Sequence, residues 1–593
     1  MSTLRLETLR MPGASLGDEN PLPDLRGAMD AHAEIAVDHE TVTDEEARYM
    51  GWGRISSILP YLMQDGYDRK QCEKAFPTAV LENEHLRATF LLSLGGRLWS
   101  LYDRDEGREL LYVNPVFQSA NLALRNAWFS GGVEWNCGII GHTPFTCSDM
   151  CAEQLTLSDG TPVLRLFQYE RVRHLLYRVE ACLPEGERQL LVRVAISNVL
   201  KEDTAIYWWS NMAVPEREDI RVIVPADRAF RYGYGGCLSK VPVPYMTAEA
   251  DKLRGQARRL AEQQGGTLDW DVSHATCLPQ SMDFFFDIPS SEQPWIAEVD
   301  GDGYGLCQTS TSGLRGRKLF AWGMGKGGRH WQTFLSEKGS RYMEIQAGLA
   351  HTQLEHLPFP GHGSLSWLES YGPLRVDGRI AQGRDWHAAV GAVRRELQKT
   401  RSEAVLDAWH EKMARELDRR AGQTLRAAPC FLPSERLMHP DLVMPAVSPD
   451  SMAESAEEAP WRTLAAGAAL PCPDPLDPPL SYQRDAVWEK ALRSSLERPC
   501  GDHWYAHYQL GVMAHLKGRT EEARDAYEKS LERARNPWAL RGLGLLSDQA
   551  GETEAAETFY LEAAKSKPIR PLVLETLGVM LRRRNFAGME ELI

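Results

Sequence analysis

Near its C-terminal end the chain repeats itself at a fixed interval, and this limits the fold more than any other feature. LGVMAHLKGRTEEARDAYEKSL begins at Leu510 and LGLLSDQAGETEAAETFYLEAA at Leu543. Gly511 and Gly544, Gly518 and Gly551, Ala523 and Ala556, and Tyr527 and Tyr560 each stand 33 residues apart; a third unit opens at Leu577-Gly578. A unit of that length holds two antiparallel helices. Its small residues mark where the helices approach, and its tyrosines fill the space between neighbours. One such unit cannot bury its apolar face alone, so residues 481–593 are predicted to stack as an all-α helical array.

Upstream the texture changes. From about Thr78 to Pro373, short alternating segments such as LRATFLLSL (Leu86 to Leu94), GRLWSLYD (Gly96 to Asp103), PVLRLFQYERV (Pro162 to Val172), LLYRVEACLP (Leu175 to Pro184) and QLLVRVAISN (Gln189 to Asn198) are punctuated by turns like Asp159-Gly160 and Asp302-Gly303. Period-two alternation between turn signals predicts antiparallel strands, and this much of it predicts a large β-sandwich over residues 78–373. Ala248 to Gln264, charged and alanine-rich, reads as a helical insertion. Residues 1–77 read as an extension packing on the sandwich, with a helix-like stretch at Thr43 to Met50. A helical segment, 374–428, runs from Asp385 as N-cap to a stop at Gly422. Between Pro429 and Pro479 lie eleven of the 34 prolines, so 429–480 reads as a linker or strap without regular structure.

Composition narrows the partners. The 593 residues carry a net charge of −15, which repels a nucleic-acid backbone. No apolar run is long enough for a membrane span, and the first residues lack the apolar core of a secretory signal, so a cytoplasmic location is expected. Eleven scattered cysteines form no C-x-x-C pair, and neither metal nor cofactor is expected.

Three segments resemble the galactose-mutarotase superfamily: Leu94 to Tyr112 with its Gly95-Gly96 pair, Leu190 to Val214 ending in YWWSNMAV, and Tyr342 to Gly348 followed by Leu357 to Ser364. Together with GGVEWNCGIIGHTPFTC and the repeats, the whole chain resembles a bacterial family of mutarotase-like domains fused to tetratricopeptide repeats. The resemblance implies a mutarotase-like supersandwich and a carbohydrate ligand, but no particular reaction. It also implies a histidine on the middle strand as ring-oxygen acid and a late glutamate as base. Here the middle strand carries Ser210-Asn211 instead, while the late strand keeps Glu344 with Gln346 on the same side.

The candidate site centres on RNAWFSGGVEWNCGIIGHTPFTC, Arg125 to Cys147, which reads as a glycine-rich loop. Aromatic faces suit a pyranose and carboxylates or amides suit its hydroxyls. Trp128, Trp135, Trp208, Trp209, Trp322 and Trp331 supply the first; Asn136, Asn211, Gln346 and Gln353 the second. Glu134, Glu344 and Glu355 are the expected catalytic carboxylates, Glu134 as an acid kept protonated by Trp135 and Glu344 as base or nucleophile, with Glu355 its rival. Arg125, Trp128, Trp135, Asn136, His142, Trp209, Asn211, Gln346 and His351 form the expected sugar-binding set. HTQLEH lacks metalloprotease order, and Gly323-Met-Gly325-Lys-Gly-Gly328 reads as a hairpin turn rather than a nucleotide loop.

The leading expectation is a glycoside hydrolase or transglycosylase with paired carboxylates acting on a short oligosaccharide. Its rivals are a mutarotase or epimerase using His142 or His351, and a non-catalytic sugar-binding scaffold. The repeats would recruit a protein partner, self-associate or brace the sandwich.

Overall fold

The computed structural model describes residues 2–25, 35–232, 237–253 and 255–592, so residues 26–34 of the expected extension lie outside the described residues. Among the described residues, one sheet has twelve strands and another nine, and their central pairings are antiparallel. Leu164, Val179 and Val194 of the nine-stranded sheet share a core with Trp135, Trp208, Met212 and Ile345 of the other. The strands Leu86–Leu91, Arg97–Asp103, Pro162–Glu170, Leu175–Cys182 and Leu190–Asn198 fall where alternation predicts them. Thr3–Gly13 pairs along its whole length with Cys72–Glu82, so the first residues form an edge strand of the sandwich.

Helices Trp386–Thr400 and Glu403–Leu417 cover the other face of the nine-stranded sheet. Asp385 caps the first, its carboxylate accepting from Ala388 N at 3.0 Å. At the end of the second, the buried Arg165 donates to the Leu417 carbonyl at 2.8 Å, a cation placed on the negative end of a helix.

Four local expectations are corrected. Thr43 to Met50 forms turns, not a helix, with mixed three- and four-residue hydrogen bonds that run on to Trp52, past Gly51, whose φ is +72°. Ala248 to Gln264 is α-helical only in its second half, Gly255–Gln263, after a single 3-10 turn at Ala250–Lys252; before that, Tyr245–Glu249 pairs with Thr267–Asp271. GMGKGG opens the helix Lys326–Leu335 instead of turning a hairpin. A Cβ at Gly328 would come within 2.1 Å of the Trp322 carbonyl, so that glycine serves a close backbone crossing. The proline-rich 429–480 holds helices Leu432–Met438 and Ala459–Ala465, each with its proline in the first turn, where no N–H is needed.

The C-terminal helices are Trp504–Leu516, Thr520–Arg533, Pro537–Gln549, Thr553–Ser566, Arg570–Arg582 and Phe586–Leu592. Tyr527 packs between Gly511 and Gly542, and a Cβ on either would lie 2.6 Å from its ring. No helix of the described residues is long and apolar enough to cross a membrane.

Candidate functional site

Five neighbouring strands of the twelve-stranded sheet build the site, in the order Val133–Cys137, Trp208–Pro215, Tyr342–Gly348, Gly316–Ala321 and Met282–Phe286. Their register sets Glu134, Asn211, Gln346, Lys318 and Phe285 in one row, and Ala213, Glu344, Phe320 and Asp283 in the next. Alternation turns these side chains away from the sandwich core, into which Trp135, Met212, Ile345, Leu319 and Phe284 point. Over the two rows lies a cavity of about 750 Å³, walled by the hairpin Ala120–Trp128, by Gly141-His142 and by Trp322 and Trp331.

Glu134 sits beneath the cavity wall as a collecting point for donors. His142 Nδ1 is 2.7 Å from its Oε2, Trp128 Nε1 donates at 3.1 Å, Thr146 Oγ1 donates at 2.6 Å, and Arg97 stands 3.2 Å away. Burial alone would lift this carboxyl. The His142 and Arg97 charges and the donated hydrogen bonds outweigh it and hold Glu134 well below the ordinary carboxylate range. An ionised acceptor at Nδ1 fixes a proton there and leaves Nε2 as the ring nitrogen for a ligand. The loop carrying His142 is shaped by Gly138 and Gly141, with φ of +89° and +101°; a Cβ at Gly138 would meet the Glu170 side chain at 2.8 Å.

Glu344 lines the cavity itself. Burial raises its carboxyl above the ordinary value, His142 and Lys318 pull it down, and Glu134 adds to the rise; the net direction is upward. From it runs a polar chain: Gln346 Nε2 donates to Glu344 at 2.7 Å, Gln353 Nε2 to Gln346 at 2.5 Å, and Lys318 Nζ to Gln353. Lys318 also pairs with Asp283 at 2.7 Å, both nearly fully buried. The site thus holds a carboxyl of raised proton affinity and a carboxylate-backed histidine, among aromatic walls.

A family model described as a domain of unknown function, DUF5107, matches residues 53–360, more than half of the chain. The chain belongs to the DUF5107 family. This DUF5107 module carries the cavity's five strands, and a tetratricopeptide-repeat model matches residues 505–537 behind it. A TPR-domain containing protein from Parabacteroides distasonis superposes on the whole chain and on 85% of its own length, at 17% identity and a TM-score of 0.66. The fold is therefore shared from sandwich to repeats. Galactose mutarotase-like proteins from Clostridium acetobutylicum (11% identity, 51% of this chain and 96% of that one, TM-score 0.34) and Lactobacillus casei (11%, 50% and 99%, 0.33) are also similar.

The cavity gathers Trp128, His142, Asn211, Glu344 and Gln346 of the expected set, with Gln353, Trp322 and Trp331. Several expected residues stand elsewhere. Trp135 is on the core side of its strand, stacked on Trp208 and donating to the Gly96 carbonyl at 3.0 Å, so it cannot keep Glu134 protonated. Glu134 is ionised rather than an acid in waiting, because donors surround it. Trp209 is on the cavity side but fully buried among Ile140, Phe285 and Leu354. Arg125 ties the Leu62 and Pro144 carbonyls together at 2.6 and 3.0 Å. Asn136 accepts from Thr143 N at 2.7 Å and shapes the His142 loop. Glu355 accepts from Thr352 N at 2.9 Å and does not line the cavity; His351 is exposed beside Phe230.

The stretch read as a loop contains the strand Val133–Cys137, whose apolar-polar alternation lasts only five residues between Gly131-Gly132 and Gly138. Lys318, Asp283, Phe285 and Phe320 were missed. Nothing in RKLFAW or MDFFFD marks them beyond a charge inside an apolar run, the one signal that could have found the pair.

Proposed function

We propose that the cavity binds a sugar and interconverts its ring forms, with Glu344 as base and His142 as acid. The observation that carries this reading is the presence in one cavity of His142, oriented by an ionised Glu134, and Glu344, whose raised proton affinity makes its ionised form a stronger base than an ordinary carboxylate. Glu344 takes the proton of the anomeric hydroxyl. As the carbonyl forms, the bond from the anomeric carbon to the ring oxygen breaks, its electron pair stays on that oxygen, and the oxygen receives the Nε2 proton of imidazolium His142. Rotation of the open aldehyde and closure reverse both transfers and restore the protein. Trp128, Trp322 and Trp331 offer flat faces, and Asn211, Gln346 and Gln353 offer hydroxyl partners.

The acid missing from the middle strand is thereby supplied from the loop after Val133–Cys137. Paired-carboxylate hydrolysis is the second reading, favoured by the cavity's size, about 750 Å³, which suits more than a single ring. Its difficulty is that Glu134 lies behind His142 and Asp283 is tied to Lys318.

Polarimetry of freshly dissolved aldoses, with wild type, Glu344→Gln and His142→Asn, tests the first reading. Acceleration by wild type that both variants lose supports it. Release of reducing ends from oligosaccharides without accelerated mutarotation would replace it with the second.

A further inference from the structure

The helical region holds a piece of the chain's own N-terminal part. Along Pro21-Leu-Pro-Asp-Leu25 the alternate carbonyls all meet donors of that region: Pro21 O accepts from Tyr482 Oη at 2.6 Å, Pro23 O from Arg541 at 3.2 Å and Leu25 O from Gln549 at 3.2 Å. Leu22 and Leu25 are buried in the apolar cluster of the repeats. The two prolines carry no N–H to satisfy and have φ fixed in advance, which lowers the cost of holding five residues without helix or sheet. Arg541 is itself held by Glu575 of the next unit through two contacts of 2.9 Å.

This grip reaches the cavity. Asp24 lines it, and the Asp24 carbonyl accepts from Ser57 Oγ at 2.6 Å. The Ser57 segment is gripped in turn: Arg484 donates to the Leu59 carbonyl at 2.7 Å, and Leu59 and Leu62 enter the same apolar cluster. Its Met63 lines the cavity and bonds to Asn20 N at 2.9 Å; Arg125, at the tip of the Ala120–Trp128 hairpin, holds the Leu62 carbonyl. One wall of the cavity therefore rests on the repeats, although among the described residues none beyond Leu354 lines it.

We propose that the repeats are a positioning module for this cavity. Their face binds Pro21–Leu25 in cis, and in doing so presents Asp24 as a specificity-determining residue toward the hydroxyls of the ligand. The identity of that ligand rests on the sugar reading above; the positioning role does not.

The test uses the full chain and two independent lesions: Arg541→Met with Glu575→Gln, which removes the grip and its partner charge together, and Leu22→Ser on the gripped segment. Hydrogen exchange at Ala120–Trp128 and Ser57–Gln64 is followed beside aldose kinetics. Either lesion is expected to speed exchange in both segments at least tenfold and to raise KM about tenfold with kcat within twofold, while Asp24→Asn raises KM and leaves exchange unchanged. Unchanged exchange in both folded lesions overturns the positioning role. An unchanged KM for Asp24→Asn overturns the assignment of Asp24. If wild type turns over no aldose, the sugar reading fails by itself, and exchange alone decides the positioning.

Discussion

His142 Nδ1 and Glu134 Oε2 lie 2.7 Å apart, and this bond joins the cavity to the charge buried behind it. Glu134 is 4% exposed, His142 more open to the cavity, and the carboxylate fixes the imidazole's tautomer. The pair works as a unit.

Glu134→Gln keeps the shape of that unit and removes its charge. The amide can present either oxygen or nitrogen to Nδ1, so His142 loses its preferred tautomer. Turnover is expected to fall about 10²- to 10⁴-fold with KM little changed, as steady-state kinetics would show.

Because Glu344 is raised, the acid limb of the kcat/KM profile should fall above the ordinary glutamate range, activity being lost as pH drops through the raised value. Measuring that limb between pH 4 and 8 checks it; a limb at the ordinary glutamate position would remove Glu344 as the base.

Stability should fall as pH rises, through two other carboxyls. Burial pushes Glu435 up to about 7 and Glu298 up to about 8, against an ordinary 4.5. Each folded state binds its proton more tightly than the unfolded chain. Their contribution is therefore full below about pH 4.5 and is lost as pH rises through 7 to 8. Glu435→Gln is expected to gain on the order of 1–3 kcal/mol at pH 9 and little at pH 4, read from denaturant melts.

Glu134 works in the opposite direction. Its carboxyl is held low, so its stabilisation is present at neutral pH and is lost as pH falls below the ordinary carboxylate range. In Glu134→Gln, denaturant melts between pH 2 and 6 should lose part of the acid-side slope that wild type shows.

Gly511→Ala and Gly542→Ala each drive a Cβ into the Tyr527 ring. Overpacking of this kind costs about 1–3 kcal/mol. Thermal melts of both variants should shift downward, and Tyr527→Leu should relieve part of the shift in either.

The glycine and tyrosine spacing at 33 residues announced the helical pairs because it reports local contacts: Gly511 faces Tyr527 sixteen residues away. Alternation likewise announced strands such as Leu175–Cys182. It was too brief to read at Val133–Cys137, where Val-Glu-Trp-Asn-Cys alternates over five residues between glycines. Prolines misled at 429–480, since a proline in a helix's first turn breaks nothing.

The sequence by itself determined the two architectures and nominated Trp128, His142, Asn211, Glu344 and Gln346, because periodicity and side-chain chemistry are local properties. Only the tertiary structure decided where they stand and what surrounds them. Cross-strand register set Glu134 beside Asn211 and Lys318 beside Gln346, which no spacing along the chain records. Donors around the buried Glu134, His142 among them, then hold its carboxyl low. The contacts of Pro21 with Tyr482 and of Pro23 with Arg541 span more than 450 residues. What the chain writes locally it can show in one dimension; proton affinity and position depend on neighbours that folding alone brings together.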